Sequence, residues 1–444
     1  MRQRNNSDDP IGNRVSATDY DEGGKPRTSR YTANALNQYV SRTVPGWASV
    51  RGLAATNAYI SVNGNEAFTV AGRVVPNAPK YYFGSGDFDN SAQSGWAELE
   101  TYATVSSATN GPDLVSAVTN RVFVPQTPET FAYDADGNMV EDGRFRYWWN
   151  GENRMLRAEE KMPPEGRTAH VVTYSYDHQG RAIYANGNCR IWDDYNIVVE
   201  NATSSNVVIN AWGLDIDGTM QGAGGVGGLL AVARNGDMSL PLYDANGNIT
   251  EYVDSLGGVE SHADYSAFGR GLMRNGVQNH SHGFSTKPQC RKSGLVEYQM
   301  RKFMPWQGRW IRRDSTFEHG GYNLYSINHN AMFSWFDFIG KAPQYIYPGV
   351  TAVYDPTPGQ GEIITSHDVD FWGRIPPADY NIGLSTSFGV TISFLFGNHE
   401  FVNEDGCSFY CIGLTTQPAG VSGGVSIGNG SMVSGSVGMG WKLN

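Results

Sequence analysis

A six-residue phrase recurs along the chain and limits what it can fold into. Tyr133-Asp134-Ala135-Asp136-Gly137-Asn138 and Tyr243-Asp244-Ala245-Asn246-Gly247-Asn248 are nearly identical. Tyr176-Asp177-His178-Gln179-Gly180-Arg181 is a third copy, and Asp9-Pro10-Ile11-Gly12-Asn13-Arg14 a fourth. Looser partners are Tyr31-Thr32-Ala33-Asn34-Ala35-Leu36-Asn37-Gln38-Tyr39, Tyr147 to Arg154, Trp192 to Asn196 and Tyr265 to Arg270. Asp136-Gly137 and Asn246-Gly247 offer the positive φ that a two-residue type I′ hairpin turn requires. The aspartate after each tyrosine can accept hydrogen bonds from the turn N–H groups. The tyrosine ring lies on the neighbouring strand and keeps its hydroxyl near water or a partner. One hairpin cannot bury an apolar face alone, so a series must stack. The pattern therefore predicts an all-β chain of stacked hairpins. A β-sandwich with Asn-Gly turns is the alternative.

Residues 294–340 have a different texture, dense in aromatics and ending on glycine. In order they carry Gly294-Leu295, Tyr298, Arg301, Phe303, Pro305, Gly308-Arg309-Trp310 and Arg313-Asp314. Gly320-Gly321, Asn323-Leu324-Tyr325, Asn330, Asp337 and Gly340 follow. This block resembles the RHS repeat-associated core domain, the closing segment of bacterial RHS/YD-repeat proteins, and the hexapeptides resemble YD repeats. The resemblance implies a YD-repeat β-hairpin spiral, a partial teneurin-like shell closed by the core as a plug. It divides the chain into a first YD-type repeat (1–46), a β-rich insertion (47–128), the YD shell (129–293), the core (294–340) and a variable tail (341–444).

By the same resemblance the function is that of a polymorphic-toxin shell. It would enclose, present or deliver its own C-terminal tail as cargo, in interbacterial competition or at a cell surface. An immunity or secretion-system protein is the implied partner, and secretion or surface display the implied location. The opening MRQRNNSDDPIGNR has no apolar signal core and already contains a turn motif, so a fragment of a longer protein is expected.

The core domain also implies an aspartic-protease-like self-cleavage after its closing glycine. Asp314 and Asp337 match the two aspartates, with Arg313 beside the first to hold a carboxylate ionised or polarise the scissile carbonyl. Such chemistry needs two carboxyl groups sharing a proton, one acting as base on water and one as acid. The expected cut lies between Gly340 and Lys341. The chain departs from the family pattern at several positions. Ser315 and Phe338 replace the prolines after both aspartates, and Phe317 replaces a glycine. Lys302 and Met304 stand where the family has Tyr and Asp, and Lys341 occupies an apolar position. The competing reading makes both aspartates turn caps in a structural plug.

Elsewhere the chemistry is thin. A net charge of −11 offers no basic patch for nucleic acid. No run is long and apolar enough for a membrane-spanning helix. Four scattered cysteines, Cys189, Cys290, Cys407 and Cys411, do not make a disulfide scaffold. For Cys407 and Cys411 a disulfide, half a metal site or two ordinary thiols all remain open. The glycine run 222–228 lacks the Gly-Lys-Ser/Thr of a phosphate loop and suits close backbone packing. His280 and His282 lie in a polar loop and read as solvated rather than metal-bound.

The insertion alternates around Asn63-Gly64, with further strands at Tyr81-Tyr82-Phe83, 97–102 and 121–124, and is a candidate adhesion module. The tail alternates at 381–394 and is glycine-rich at 421–441, which suits β-hairpins. His367, Asp368, Asp370, His399 and Glu400 suit a metal-dependent nuclease, and Cys407 with His399 a thiol nucleophile. The two-sided glycine-rich alternation suits a membrane-inserting hairpin, so a hydrolase or pore-forming tail is an alternative. No cofactor or metal is expected.

Overall fold

The computed structural model describes residues 5–70, 79–107, 111–276, 279–330, 332, 335–337 and 339–340. Beyond 340 it describes only the backbone of short strands. Apart from single 3-10 turns at Phe284–Thr286, Phe317–Gly320 and Asn328–Asn330, the ordered elements are strands, so the chain is all-β.

The repeat works through its turn, and the turn is not the expected one. At Asp134 the amide bonds to the Asn138 carbonyl (2.9 Å), while the Gly137 amide bonds back to the Asp134 carbonyl (3.1 Å). The Asp134 carboxylate accepts the Asn138 amide (2.8 Å) and side-chain nitrogen (2.9 Å). Gly137 has φ +81° and Asp136 is not among the positive-φ residues. The closure is thus a type I turn followed by a left-handed glycine that forms a bulge, with three loop residues where the sequence suggested two. The anchored aspartate explains the difference, because its carboxylate spans the extra residue.

The same closure recurs at Asp9–Asn13, Asp21–Lys25, Asn34–Gln38, Asn150–Arg154, Asp177–Arg181, Asp244–Asn248, Asp254–Gly258 and Ser266–Arg270. Asn63-Gly64, Asn186-Gly187 and Asn235-Gly236 do form tight turns with both residues at positive φ. No anchoring aspartate precedes them.

Aromatics ahead of the turns tie one hairpin to the previous one. Trp149 Nε1 donates to the Met139 carbonyl (2.8 Å), the Tyr176 hydroxyl to Met155 (2.7 Å) and Trp192 Nε1 to Ala182 (3.1 Å). Each acceptor lies just past the preceding turn. Repeated along the chain, this contact builds one open antiparallel sheet of 14 strands in sequence order, from Ala132–Tyr133 to Gly271–Gly276. A five-stranded sheet takes up residues 5–42 plus Glu129–Thr130. Along Phe145–Trp149, Phe145 and Tyr147 point inward while Arg146 and Trp148 face out.

Residues 282–340 lie against the inner faces of both sheets. One apolar cluster joins Ala17, Tyr31 and Tyr39 of the first sheet, Phe145, Tyr147 and Tyr174 of the second, and Leu295, Met304 and Ile311 of this segment. Polar ties run the same way. The Tyr325 hydroxyl donates to the Gly137 carbonyl (2.8 Å) and accepts from Gln38 (2.9 Å). Arg309 reaches the Asn37 carbonyl (2.9 Å) and Asn13 (3.1 Å).

The stretch 47–124 packs two small sheets around its own core of Ile60, Val62, Leu99 and Val124. Every strand candidate in it is a strand. In the tail, Tyr380–Thr386 pairs with Val390–Phe394 and Gly424–Gly428 with Ser431–Ser436, as the alternation suggested.

Candidate functional site

An arginine inside an aromatic stretch must find negative charge or it will not stay folded in. Arg301 is such a residue. It lies between Tyr298 and Phe303 at the start of the Lys302–Met304 strand, which pairs with Arg309–Trp310. Trp310, 1% exposed, covers its guanidinium at 4.1 Å.

The two sequence-predicted aspartates converge on this group. Arg301 Nη1 sits 2.7 Å from Asp314 Oδ2, and Nη2 sits 3.0 Å from Asp337 Oδ2. Arg301 Nε donates to the carbonyl of Gly340 at 2.5 Å. Asp337 Oδ1 in turn accepts the Gly340 amide (2.7 Å), and the Met300 amide holds the Ile339 carbonyl (2.9 Å). Gly340 has φ +82°, and a Cβ there would come within 3.1 Å of Tyr298 and the Arg301 backbone. Glycine is required at this point by conformation and by space. Asp314 Oδ1 accepts from the Thr316 amide (2.8 Å) and hydroxyl (2.6 Å). Each aspartate therefore caps a turn with one oxygen and binds Arg301 with the other.

Arg313 is elsewhere. Its side-chain methylenes pack against Gly137, and its charge acts on Tyr325. The guanidinium at the carboxylates belongs to Arg301, because the chain turns between residues 312 and 314 and sends neighbouring side chains apart. Lys341 and Phe338 lie outside the described residues.

A second buried charge network lies next to the first. Glu297 accepts from Arg190 (2.7 Å) and from the Tyr174 hydroxyl (2.8 Å), with Lys302 at 3.8 Å. Burial pushes the Glu297 carboxyl up, but Lys302 and Arg190 outweigh it and hold the group at about 2. Lys302 also rests 4.3 Å above the Tyr174 ring, which gives this unexpected lysine a cation–π partner. Burial lowers Lys287 to about 8 against the opposing pull of Asp215 and Asp337.

The other candidates resolve as structure. His282 is buried and stands edge-on to Trp212, while His280 is partly buried with its ring covered by stacking on Tyr252 at 3.7 Å. Burial drops His282 to about 4, against Glu200. No cluster of metal-binding side chains occurs among the described residues. In the glycine run, the Ala223 and Gly225 amides cradle the Asp215 carboxylate at 3.0 and 2.7 Å. Cys189 and Cys290 are free thiols. His367, Asp368, Asp370, His399 and Cys407 lie outside the described residues, and of Glu400 and Cys411 only backbone strand is described.

No family model matches the chain. It is 25% identical over 195 residues to the tRNA3(Ser)-specific nuclease WapA of Bacillus spizizenii, which covers 42% of this chain and 8% of that protein. It is 23% identical over 245 residues to the tRNA(Glu)-specific nuclease WapA of Bacillus subtilis subsp. natto, covering 50% of this chain and 10% of that protein. The chain thus spans a tenth or less of these relatives' length. Among solved structures, the crystal structure of TcdB2-TccC3 aligns over 76% of this chain and 17% of its own, with 16% identity and a TM-score of 0.39. The Photorhabdus luminescens Tc holotoxin pore aligns over 77% and 17%, with 16% identity and a TM-score of 0.40. At this coarse level the chain is similar to toxin-related proteins of the RHS type. Among the described residues, no helix is long and apolar enough to cross a membrane.

Proposed function

We propose that residues 1–340 form an RHS-type wall and plug that enclose or present residues 341–444, and that the chain cuts itself between Gly340 and Lys341. The observation that carries this reading is the single guanidinium of Arg301, which gathers Asp314, Asp337 and the Gly340 carbonyl oxygen. The similarity to WapA supports the toxin-related side of it.

In the cut, one carboxylate takes a proton from water and the hydroxide adds to the Gly340 carbonyl carbon. The other carboxyl gives its proton to the Lys341 nitrogen as the C–N bond breaks. Arg301 Nε, already donating to the Gly340 oxygen, stabilises the charge that develops there. The step requires one carboxyl of the pair to be ionised and the other to carry the proton. The alternative assignments are a hydrolase or pore-forming tail, whose side chains lie outside the described residues, and an adhesive insertion at 47–128.

Intact-mass spectrometry of the purified chain tests the reading. The expected result is two fragments that meet between Gly340 and Lys341 and co-elute on size exclusion. Asp314→Asn and Asp337→Asn should each leave the chain whole. A wild-type chain that stays whole over days refutes self-cleavage and leaves the enclosing role standing. Fragments that separate freely refute the enclosing role.

A further inference from the structure

At the end of the long sheet, three arginines far apart in sequence come together without carboxylate partners among the described residues. Arg291 Nη2 donates to the His280 carbonyl (2.9 Å) and Arg234 Nη2 to the Asn279 carbonyl (2.6 Å). Arg274 donates to the Gln289 side-chain oxygen. All three acceptors are neutral. The Nε of Arg234 is buried with no hydrogen-bond partner among the described residues. Burial depresses Arg291 first, and the like charges of Arg274 and Arg234 depress it further.

Arg274, Arg291 and His280 line an open cleft together with Ser261 and Ser281, and the charge of Arg234 acts on Arg291 from nearby. The His280 side chain is 7% exposed and stacked on Tyr252, and its Nδ1 has no partner among the described residues. The carboxylate beside it, Glu260, lies 3.4 Å from His280 Nε2 and offsets one of the three positive charges. His262, on the opposite wall, already holds Glu251 (2.7 Å) and Asp264 (3.3 Å). Val277 and Gln278, which follow Gly276 in sequence, carry no charge.

Clustered guanidinium groups repel one another, and in a chain of net charge −11 such a cluster is not a background effect. Donors that bond only neutral carbonyls keep their full charge for an arriving anion. Guanidinium forks match the oxygens of a tetrahedral oxyanion better than a lone lysine would. We infer that the cleft lined by Arg274, Arg291 and His280 binds a tetrahedral oxyanion of the phosphate class, free or as a monoester on a larger molecule. This site is independent of the Arg301 cluster and of self-cleavage.

Titration of the full chain with inorganic phosphate, followed by calorimetry and thermal unfolding, tests the inference. Phosphate should raise the unfolding temperature beyond sodium chloride at equal ionic strength. Arg291→Gln and Arg274→Gln should each weaken phosphate binding at least tenfold. Arg157→Gln, an exposed control paired with Glu159 on the same sheet, should not. Glycerol phosphate binding as well as inorganic phosphate would mark a monoester site, and preference for the inorganic ion a free-anion site. A response equalled by chloride or acetate overturns the inference, as does wild-type affinity in Arg291→Gln.

Discussion

The plug and the insertion bury themselves by opposite means. Residues 47–124 close around small and branched apolar side chains, Ala48, Ile60, Val62, Leu99 and Val124, and their ion pair Arg121–Glu98 stays exposed. Residues 282–340 bury Lys287, Glu297, Arg301, Lys302, Arg309, Asp314 and Asp337 beside Trp310 and Phe303. An apolar core tolerates sliding and repacking, whereas a buried charge is stable only where its partner meets it. Several of these contacts fix position, since they reach the strands of the two sheets: Arg309 to Asn37 and Asn13, Tyr325 to Gln38 and Gly137, and Glu297 to Arg190 and Tyr174.

The largest expected difference between the two comes from removing a buried charge. Arg301→Met leaves Asp314 and Asp337 buried without their cation and should cost about 3–5 kcal/mol in urea unfolding. It should loosen Gly340 as well. A loss under about 1 kcal/mol would show that the clamp is not holding the plug. In the insertion, Leu99→Ala should cost about 3 kcal/mol as a cavity. Its effect should stay local, with hydrogen exchange quickening in 47–124 and not in 295–311.

Acid should then reveal the plug's charge network. His282 sits well below its usual 6.5, at about 4, because burial opposes its charge. Above pH 6.5 its ring is neutral in both states. As pH falls from 6.5 through 4, the unfolded chain takes up a proton that the folded chain refuses, so stability drops by as much as about 3 kcal/mol. Glu297, held at about 2, extends the loss between pH 4.5 and 2. His262 has the opposite sign. Asp264 and Glu251 raise it to about 9, so its contribution is present below pH 6.5 and fades as pH rises through 9. Urea midpoints of wild type and His282→Asn between pH 8 and 4 check this. The variant should lack most of the slope between 6.5 and 4, and an unchanged slope would assign acid sensitivity elsewhere.

The smallest effect is expected at a single wall tie. Tyr325→Phe removes the hydroxyl shared by Gln38 and Gly137. It should cost about 1 kcal/mol, readable as a small fall in unfolding temperature.

Local signals carried the hairpins. An Asx or Ser four residues before the end of a turn, with glycine or Asn at the left-handed position, sufficed at Asp134, Asp177 and Asp244. Asp21–Lys25 carries the same signal in Tyr20-Asp21 and Gly24, whereas Asp254–Gly258 closes the same way without the aromatic. Asp136-Gly137 reads as a two-residue turn, since the dipeptide alone does not show that Asp134 reaches across it.

What the sequence could not carry was charge meeting across distance. Arg313 adjoins Asp314 in sequence, yet Arg301 holds it, because neighbours in an irregular segment diverge while residue 301 folds back. A clue existed in an arginine between Tyr298 and Phe303. The polar loop around His280 and His282 suggests solvation, yet the Tyr252 ring covers the His280 side chain and His282 is buried against Trp212. Arg234, Arg274 and Arg291 gave no signal at all, since only the stacked strands bring them together.

Hydrogen exchange on the intact chain tests the central claim most directly, that 282–340 and the wall hairpins form one interlocked unit. Amides of 295–311 should be protected as strongly as those of 145–176, and Arg301→Met should release both sets together. Rapid exchange at 295–311 in the wild type, with 145–176 still protected, would contradict it.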